Sequence, residues 1–132
     1  MARDPGAVDV VFPGRVVATV IAIRTLEPIV AMSAYFKDGI GMTGVNIRIA
    51  GAIAERIAKR PMSFIIGGDF NIPPEVIDNS EWLRSIDGVV VWLGPNCPTY
   101  ISGAKSSCND YYVVSRRIAD WFIAISLEPW AT

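Results

Sequence analysis

The 132-residue chain contains no histidine. Histidine is the side chain that most often changes charge near neutral pH, and it is the commonest metal ligand. Only two cysteines are present, Cys97 and Cys108. Two cysteines without CxxC spacing or histidine do not complete a tetrahedral zinc site, and they do not make a disulfide framework. A Cys97–Cys108 bridge across a loop is an alternative that the sequence leaves open.

An excess of one charge is also missing, because 12 basic and 13 acidic residues give a net charge of −1. This balance neither favours nor excludes nucleic acid, whose binding proteins usually carry a clear basic footprint. A small basic cluster stands at Arg56, Lys59 and Arg60. The simplest interpretation of that cluster is the solvated face of a helix.

Long hydrophobic runs are absent as well. The longest apolar segments, Val16 to Ile23 and Ile29 to Phe36, are too short to span a bilayer. Asp4, Pro5 and Asp9 interrupt the stretch in which a signal peptide would need an apolar region. We therefore expect an intracellular protein, cytoplasmic or nuclear, with reduced thiols and no membrane contact.

Apolar residues make up 52% of the chain, which is enough for the core of one domain over residues 1–132. Runs rich in valine and isoleucine predict six strands, at Arg15–Ile23, Ile29–Tyr35, Met62–Ile66, Gly88–Leu93, Asp110–Ser115 and Trp121–Ser126. Glycine-rich and proline-rich stretches predict loops at Lys37–Gly44 and Gly94–Cys108, and Met1–Gly14 is predicted to be an irregular lead-in.

The clearest predicted helix is Asn46–Arg60, in which isoleucines at positions 49, 53 and 57 recur every four residues. Pro61 ends it, and Pro74 opens a second, short helix. Strands combined with one strong helix predict an α/β fold, layered as a sandwich around a mixed, mostly antiparallel sheet.

The segment Phe64-Ile65-Ile66-Gly67-Gly68-Asp69-Phe70-Asn71 joins an apolar strand to two glycines and two polar side chains. Gly67 and Gly68 are predicted to allow a tight turn and the close approach of a ligand. If the chain stays extended, Asp69 and Asn71 point to the same side and can position and deprotonate a water molecule. The alternative is an Asx-type turn in which both side chains bond to local backbone.

Gly-Gly-Asp-Phe-Asn after an apolar strand resembles the signature of the endonuclease/exonuclease/phosphatase superfamily, the exonuclease III-like and DNase I-like metal-dependent phosphoesterases. Tyr35 at a strand end and the helix before the Asp-x-Asn strand fit in the same order. So do Pro98-Thr99-Tyr100 and Ser107-Cys108-Asn109-Asp110-Tyr111, which are similar to the family's Pro-Thr-aromatic and Ser-x-x-Asp-Tyr elements. The resemblance extends from about residue 15 to residue 126.

The resemblance implies four site residues. Asp69 would activate water or lie on the metal side, and Asn71 would orient the nucleophile and the phosphate beside the metal. Tyr35 would contact the phosphate, and Asp110 would orient a catalytic histidine. Taken alone, Tyr35 is more simply read as an ordinary strand-end aromatic, and Asp110 is as readily a turn residue at a strand start.

The implied chemistry is metal-assisted displacement at phosphorus, with Mg²⁺, or Mn²⁺ in its place, as the cofactor. The implied partner is nucleic acid or another phosphoester, which includes DNA, RNA, inositol phosphates and lipid phosphates.

The chain also departs from the family. No predicted strand with a metal-binding glutamate precedes Arg15, since Glu27 falls in a predicted turn, and no Ser-Asp-His element is present. We therefore expect an incomplete copy of the four-layer DNase I-like fold, weakly active or inactive alone. Flanking sequence or self-association would supply the missing strands. The alternatives are a non-catalytic remnant or a nucleic-acid- or phosphate-binding module on this fold, and an unrelated α/β domain whose Gly67-Gly68 turn binds phosphate.

Overall fold

A computed structural model describes residues 7–22, 27–92, 100–102 and 105–127. Six described strands form one sheet, and two short strands form a separate hairpin. The sheet strands are β1 (Val8–Phe12), β2 (Val16–Ile21), β3 (Ile29–Tyr35), β4 (Ser63–Asp69), β5 (Gly88–Val91) and β8 (Asp110–Ser115), and the hairpin strands are β6 (Tyr100–Ser102) and β7 (Lys105–Ser107). The order of the strands in the sheet is β1-β2-β3-β4-β8-β5. The helices are α1 (Val45–Lys59), α2 (Pro74–Asp78), α3 (Glu81–Ile86) and α4 (Ala119–Leu127), the last preceded by a 3₁₀ turn, Arg116–Ile118.

The centre of the sheet is the parallel pair β3–β4, which α1 connects. The remaining pairs in this sheet are antiparallel. The sheet is therefore mixed and mostly antiparallel, as the sequence predicted, and the carboxyl ends of β3 and β4 lie at the same edge. The β3–β4 register pairs Tyr35 with Asp69.

The two faces of the sheet have different surroundings. On the helical face, alternate residues of β2, β3, β4 and β8 are buried together with residues of α1, α2 and α3 in one apolar core. The residues between them point to the other side, which we call the open face. Phe122 of α4 contacts the ring of Tyr112 edge-on at 5.1 Å, so α4 covers part of the open face beside β8.

Helix α1 packs its isoleucine stripe into this core, with Ile49 and Ile53 fully buried. It ends one residue earlier than the sequence predicted, before Arg60 and Pro61. Near its start, the side chain of Asn46 is buried and makes three hydrogen bonds to the loop before the helix. Its Oδ1 accepts from the Lys37 N–H at 2.7 Å, and its Nδ2 donates to the carbonyls of Lys37 and Gly41. Asn46 therefore fixes the loop that follows β3.

Three predicted elements are wrong. The predicted lead-in contains β1, whose Val8 and Val10 alternate with Asp9 as in an ordinary edge strand. The predicted strand Trp121–Ser126 is part of helix α4, because a short run that is apolar on every side does not distinguish a strand from a helix. The predicted loop Gly94–Cys108 includes the hairpin β6–β7.

Some predictions fall outside the described residues. Cys97, Pro98 and Thr99 are among these, so the Cys97–Cys108 bridge and the Pro-Thr-aromatic element stay predictions. In the described part of the chain, no helix is both long enough and apolar enough to cross a membrane.

Candidate functional site

Three of the four predicted site residues lie in one row across neighbouring strands. Tyr35 ends β3 and pairs with Asp69 at the end of β4, which in turn pairs with Asp110 at the start of β8. Paired residues point to the same side of a sheet, and the burial pattern places this row on the open face, with Tyr35 49% exposed. The fold therefore gathers a phenol and two carboxylates that are up to 75 residues apart in sequence, from position 35 to position 110.

The fourth predicted residue, Asn71, lies just beyond this row and does not continue the strand. Its backbone is in the left-handed region at φ 50°, which asparagine tolerates better than most residues. Its N–H donates to Asp69 Oδ1 at 3.1 Å, and its Nδ2 donates to the Phe36 carbonyl at 2.8 Å. The extended-chain geometry is therefore wrong. The Asx-type turn is present at Asp69, whereas the Asn71 side chain bonds to the distant Phe36 and not to local backbone. Since Nδ2 is engaged, Oδ1 is the atom of this amide that can accept from a ligand or hold a cation.

A stack of aromatic rings supports the row from the helical face. The residue after Tyr35, after Asp69 and after Asp110 is in each case a buried aromatic: Phe36, Phe70 and Tyr111. Phe70 stacks on Phe36 at 5.3 Å and on Tyr111 at 4.4 Å between ring centroids. Stacked, fully desolvated rings resist displacement, so the strand ends that carry the candidate site are held firmly.

Hydrogen bonds fix the same strand ends. The Phe36 N–H donates to the Asp69 carbonyl at 2.9 Å, and the Phe70 N–H donates to the Asn109 carbonyl at 2.8 Å. The Tyr111 hydroxyl donates to the Ile72 carbonyl at 2.6 Å and so anchors the segment after Asn71. The aromatic stack was missed in the sequence, although the aromatic directly after each candidate residue was the signal that could have revealed it.

The electrostatics of the row centre on Asp69. Partial burial raises the pKa of its carboxyl above the ordinary value, the negative charge of Asp110 raises it further, and Asp38 adds a smaller effect in the same direction. The hydrogen bond from the Asn71 N–H opposes these effects. A carboxylate with a raised pKa is a better proton acceptor than an ordinary one, and it also attracts a cation that relieves the repulsion.

Two further features were not predicted correctly. Arg15 places its guanidinium carbon 4.6 Å from the centroid of the Tyr35 ring and its carbonyl accepts the Tyr35 N–H at 2.8 Å, so it holds a positive charge beside the phenol.

Gly67 and Gly68 do not form a turn, because β4 continues through them to Asp69. Gly68 has φ 145°, and a Cβ there would lie 2.0 Å from the Ala34 carbonyl oxygen. The close approach at Gly68 is therefore by the neighbouring strand.

The capacity of the site for a metal rests on oxygen donors. In the described ranges, no group of three or more His, Cys, Asp or Glu side chains is placed to hold an ion. The Asp69 carboxylate and the amide oxygen of Asn71 are hard oxygen donors, and the negative charge of Asp110 repels that of Asp69. Mg²⁺ usually keeps several waters and takes one or two carboxylates from the protein, and Asp69 and Asn71 offer donors of that chemical type.

No protein-family model and no curated protein sequence matches the chain. Solved structures do match. The 3′ phosphatase NExo from Neisseria, solved with a product DNA hairpin, is 15% identical with a TM-score of 0.56, and the match covers 89% of this chain and 61% of that one. The cytolethal distending toxin of Haemophilus ducreyi is 19% identical with a TM-score of 0.51, covering 86% of this chain and 45% of that one. The human Nocturnin catalytic domain is 17% identical with a TM-score of 0.50, covering 76% and 41%.

The chain spans about half the length of these structures, from 41 to 61%. At identities of 15 to 19% the likeness establishes the fold and leaves the activity to be tested. The neighbours share one architecture, and the mixed six-stranded sheet with its helices matches it. The chain therefore has the DNase I-like fold of the endonuclease/exonuclease/phosphatase proteins.

Proposed function

We propose that the chain carries part of a Mg²⁺-assisted phosphoester hydrolase site, whose substrate is nucleic acid or another phosphoester. The observation that carries this proposal is the row of Tyr35, Asp69 and Asp110 at one edge of the sheet, with Asn71 fixed beside it. Support comes from structural neighbours whose names include a 3′ phosphatase bound to a DNA hairpin and a 3′-5′ exonuclease.

Each residue has a chemical role in this proposal. The Asp69 carboxylate orients the attacking water, and the negative charge of Asp110 beside it favours a bound cation. The exposed Tyr35 hydroxyl donates to a phosphate oxygen, and the nearby Arg15 guanidinium adds positive charge to that side. Asn71 and Asp69 together hold the cation, which when bound neutralises the charge that develops on the phosphoryl oxygens. Asp110 contributes negative charge next to Asp69.

We expect turnover by this chain alone to be slow. With no histidine in the sequence, proton transfer at neutral pH depends on carboxyl groups, and a carboxyl is a poor general acid well above its pKa. Binding of the cation and of a phosphate needs only the residues described above. Binding and turnover are therefore separable, and both should be measured.

The first measurement is cation binding. Mn²⁺ in place of Mg²⁺ should broaden the NMR signals of the Asn71 side-chain amide, because a paramagnetic ion relaxes nearby nuclei. Asp69→Asn should weaken that broadening by about tenfold or more in Mn²⁺ concentration. Asp78→Asn, at the exposed end of α2, removes an equal charge elsewhere and should leave the broadening unchanged. Equal broadening in wild type and Asp69→Asn would contradict the assignment of the site.

The second measurement is hydrolysis of single-stranded DNA, a 3′-phosphorylated DNA hairpin and bis-p-nitrophenyl phosphate with Mg²⁺ or Mn²⁺. We expect slow cleavage at most, lowered about a hundredfold or more by Asp69→Asn. Metal-dependent cleavage that Asp69→Asn leaves intact would refute the proposal. Rapid cleavage that Asp69→Asn abolishes would keep the site and refute the slow turnover.

The alternative function is a phosphate- or nucleic-acid-binding module on this fold, which the missing histidine favours. It predicts oligonucleotide binding that Tyr35→Phe and Asn71→Ala weaken, without cleavage under any metal condition. Fluorescence anisotropy with a labelled single strand measures this binding.

A further inference from the structure

The basic cluster at the end of α1 is only partly the solvated helix face that the sequence suggests. Lys59 and Arg60 are exposed, as that interpretation requires. The side chain of Arg56 is only 15% exposed, and in the described part of the chain its Nη1 is a buried atom without a hydrogen-bond partner. Leaving a buried donor unsatisfied costs free energy, and the cost is larger for a charged group. The guanidinium of Arg56 is therefore short of acceptors.

Asp9 satisfies Arg56 only in part. Its Oδ2 lies 3.8 Å from Arg56 Nη2, which makes an ion pair but is too long for a hydrogen bond. Asp9 lies on β1, where it pairs with Ala18 of β2. The ion pair therefore joins β1 to the last turns of α1, and the second terminal nitrogen of the guanidinium fork remains available to an acceptor.

A cavity of about 560 Å³ lies at this ion pair, between β1 and the second half of α1, and we call it the α1 cavity. Its lining has three basic side chains, Arg56, Lys59 and Arg60, and two acidic ones, Asp9 and Glu55, so its net charge is +1. Glu55 and Lys59 are four residues apart, a spacing that lets them pair along the helix surface. Arg56 Nη1 and the Arg60 guanidinium are then the groups best placed to receive an anion.

The α1 cavity is separate from the candidate phosphoester site. Through the strand register, Asp9 is level with Ile66, which lies three residues before Asp69. Three residues of a strand correspond to about 10 Å. The cavity also lies on the side of α1, whereas the row that contains Asp69 is on the open face. A small ligand in the cavity therefore does not contact that row.

We propose that the α1 cavity binds a small phosphate monoester whose organic part carries hydroxyl groups. Arg56 Nη1 and the Arg60 guanidinium donate to the phosphate oxygens, since guanidinium groups match phosphate geometry. The Glu55 carboxylate accepts from a hydroxyl, and the apolar Val10 and Ala52 contact the carbon skeleton. A bare phosphate ion would only be repelled by the carboxylates, so the mixed lining favours an organic phosphate. This inference does not depend on the proposed catalytic function.

The dipole of α1 limits the affinity. The carboxyl end of a helix carries a partial negative charge of about half a unit, which opposes an anion there. The direct charges of the lining must outweigh it, and they are partly exposed to solvent. We therefore expect a dissociation constant on the order of 1 mM for inorganic phosphate. Hydroxyl contacts should make it about tenfold lower for ribose 5-phosphate.

NMR titration of the full chain without divalent metal tests the proposal, with inorganic phosphate, ribose 5-phosphate and AMP as probes. The backbone amides of Asp9 and Val10 and of the last turn of α1 should shift and saturate. Arg56→Met should raise the dissociation constant of ribose 5-phosphate about tenfold or more, and Arg60→Gln about threefold. Arg48→Gln is the matched control, because it removes an exposed positive charge near the start of the same helix and should change nothing. AMP that binds more tightly than ribose 5-phosphate identifies a nucleotide, and otherwise the ligand is a sugar phosphate.

Several outcomes would overturn the proposal. Shifts that never saturate would show that no site exists, and inorganic phosphate that binds as tightly as ribose 5-phosphate would refute the role of the hydroxyl groups. Equal weakening in Arg48→Gln would reveal a general effect of charge. Shifts confined to Tyr35 and Asp69 would place the phosphate at the candidate catalytic site instead. Circular dichroism checks the fold, and if Arg56→Met does not fold, the comparison of Arg60→Gln with Arg48→Gln decides, since both residues are exposed.

Discussion

The two faces of the same three strand ends differ completely in character. On the open face, Tyr35 and Asp110 are exposed and Asp69 is partly buried. On the helical face, one residue further along each strand, Phe36, Phe70 and Tyr111 are buried and stacked. Because side chains alternate along a strand, each chemical group lies directly beside its own support. At each of the three strand ends, two consecutive residues therefore supply one candidate site residue and one buried aromatic that supports it.

The two faces should also respond differently to substitution. A change on the helical face disturbs a filled core, where there is little room for rearrangement. A change on the open face meets solvent or a movable side chain, and its effect is on binding and chemistry. Neighbouring residues of the same type, one on each face, allow a direct comparison: Gly68 with Gly67, and Tyr111 with Tyr112.

The largest effect is expected for Gly68→Ala compared with Gly67→Ala. At Gly68 the backbone has φ 145°, and an added Cβ would lie 2.0 Å from the carbonyl oxygen of Ala34. An alanine does not readily adopt this φ, and its Cβ has no space beside the backbone of β3 in the parallel β3–β4 pair. We therefore expect a loss of about 3 kcal/mol or more in the free energy of unfolding. Urea denaturation followed by circular dichroism measures it.

Gly67→Ala is the control on the open face. Its Cβ would meet Cε1 of Tyr112 at 2.7 Å, but that ring belongs to a side chain that is 47% exposed and can turn aside. We expect a loss of about 1 kcal/mol or less. Equal losses in the two variants would show that the strand pairing at Gly68 is not the constraint described here.

The sequence predicted two interior strands, and the strand ends that carry the candidate residues, for physical reasons. Ile29–Tyr35 and Asp110–Ser115 are continuous apolar runs with polar or aromatic ends, and both strands have the predicted bounds. The Asp-x-Asn segment was identified correctly as the end of a strand, although β4 runs to Asp69 itself. Local composition is enough to predict these strands, because strands buried inside a sheet read as nearly continuous apolar runs in the sequence.

The remaining features depend on contacts distant in sequence. The Asn71 side chain reaches the Phe36 carbonyl, 35 residues away in sequence, only because β3 and β4 are paired. Arg15 meets the Tyr35 ring only through the β2–β3 register. Helix α4 was predicted as a strand because its apolar residues show no periodicity, and its tertiary environment decides between the two.

An intermediate effect is expected for Tyr111→Phe compared with Tyr112→Phe. The Tyr111 hydroxyl is buried and donates to the Ile72 carbonyl at 2.6 Å. Its removal leaves that carbonyl without this donor, so we expect a loss of about 1–2 kcal/mol in the free energy of unfolding at neutral pH. Tyr112 is 47% exposed, and removal of its hydroxyl should lower the free energy of unfolding by about 0.5 kcal/mol or less.

The same pair gives a prediction for pH. Burial, followed by the neighbouring charges of Cys108, Glu75 and Asp69, raises the pKa of Tyr111 well above the ordinary value of 10.0. A raised folded-state pKa gives a stability contribution that is complete below pH 10.0 and is lost as the pH rises from there towards the folded-state pKa. The deficit of Tyr111→Phe relative to wild type should therefore shrink above about pH 10. Urea midpoints at neutral and alkaline pH measure this, and a deficit that stays constant would contradict it.

The smallest effect on stability, and the opposite sign, is expected for Asp69→Asn. The negative charge of Asp110 repels that of Asp69, and an asparagine at position 69 keeps an oxygen that can accept the Asn71 N–H. We expect the metal-free protein to gain about 0.3–0.5 kcal/mol in the free energy of unfolding at neutral pH, with less gain at high salt. Asp110→Asn relieves the same repulsion, so the two gains should not add in the double variant. Additive gains would show that the two carboxylates do not interact, and a loss in Asp69→Asn would show that its charge supports the fold. A gain in stability combined with loss of Mn²⁺ binding would mark Asp69 as a residue retained for its chemistry, in contrast to Phe70, the next residue on the opposite face.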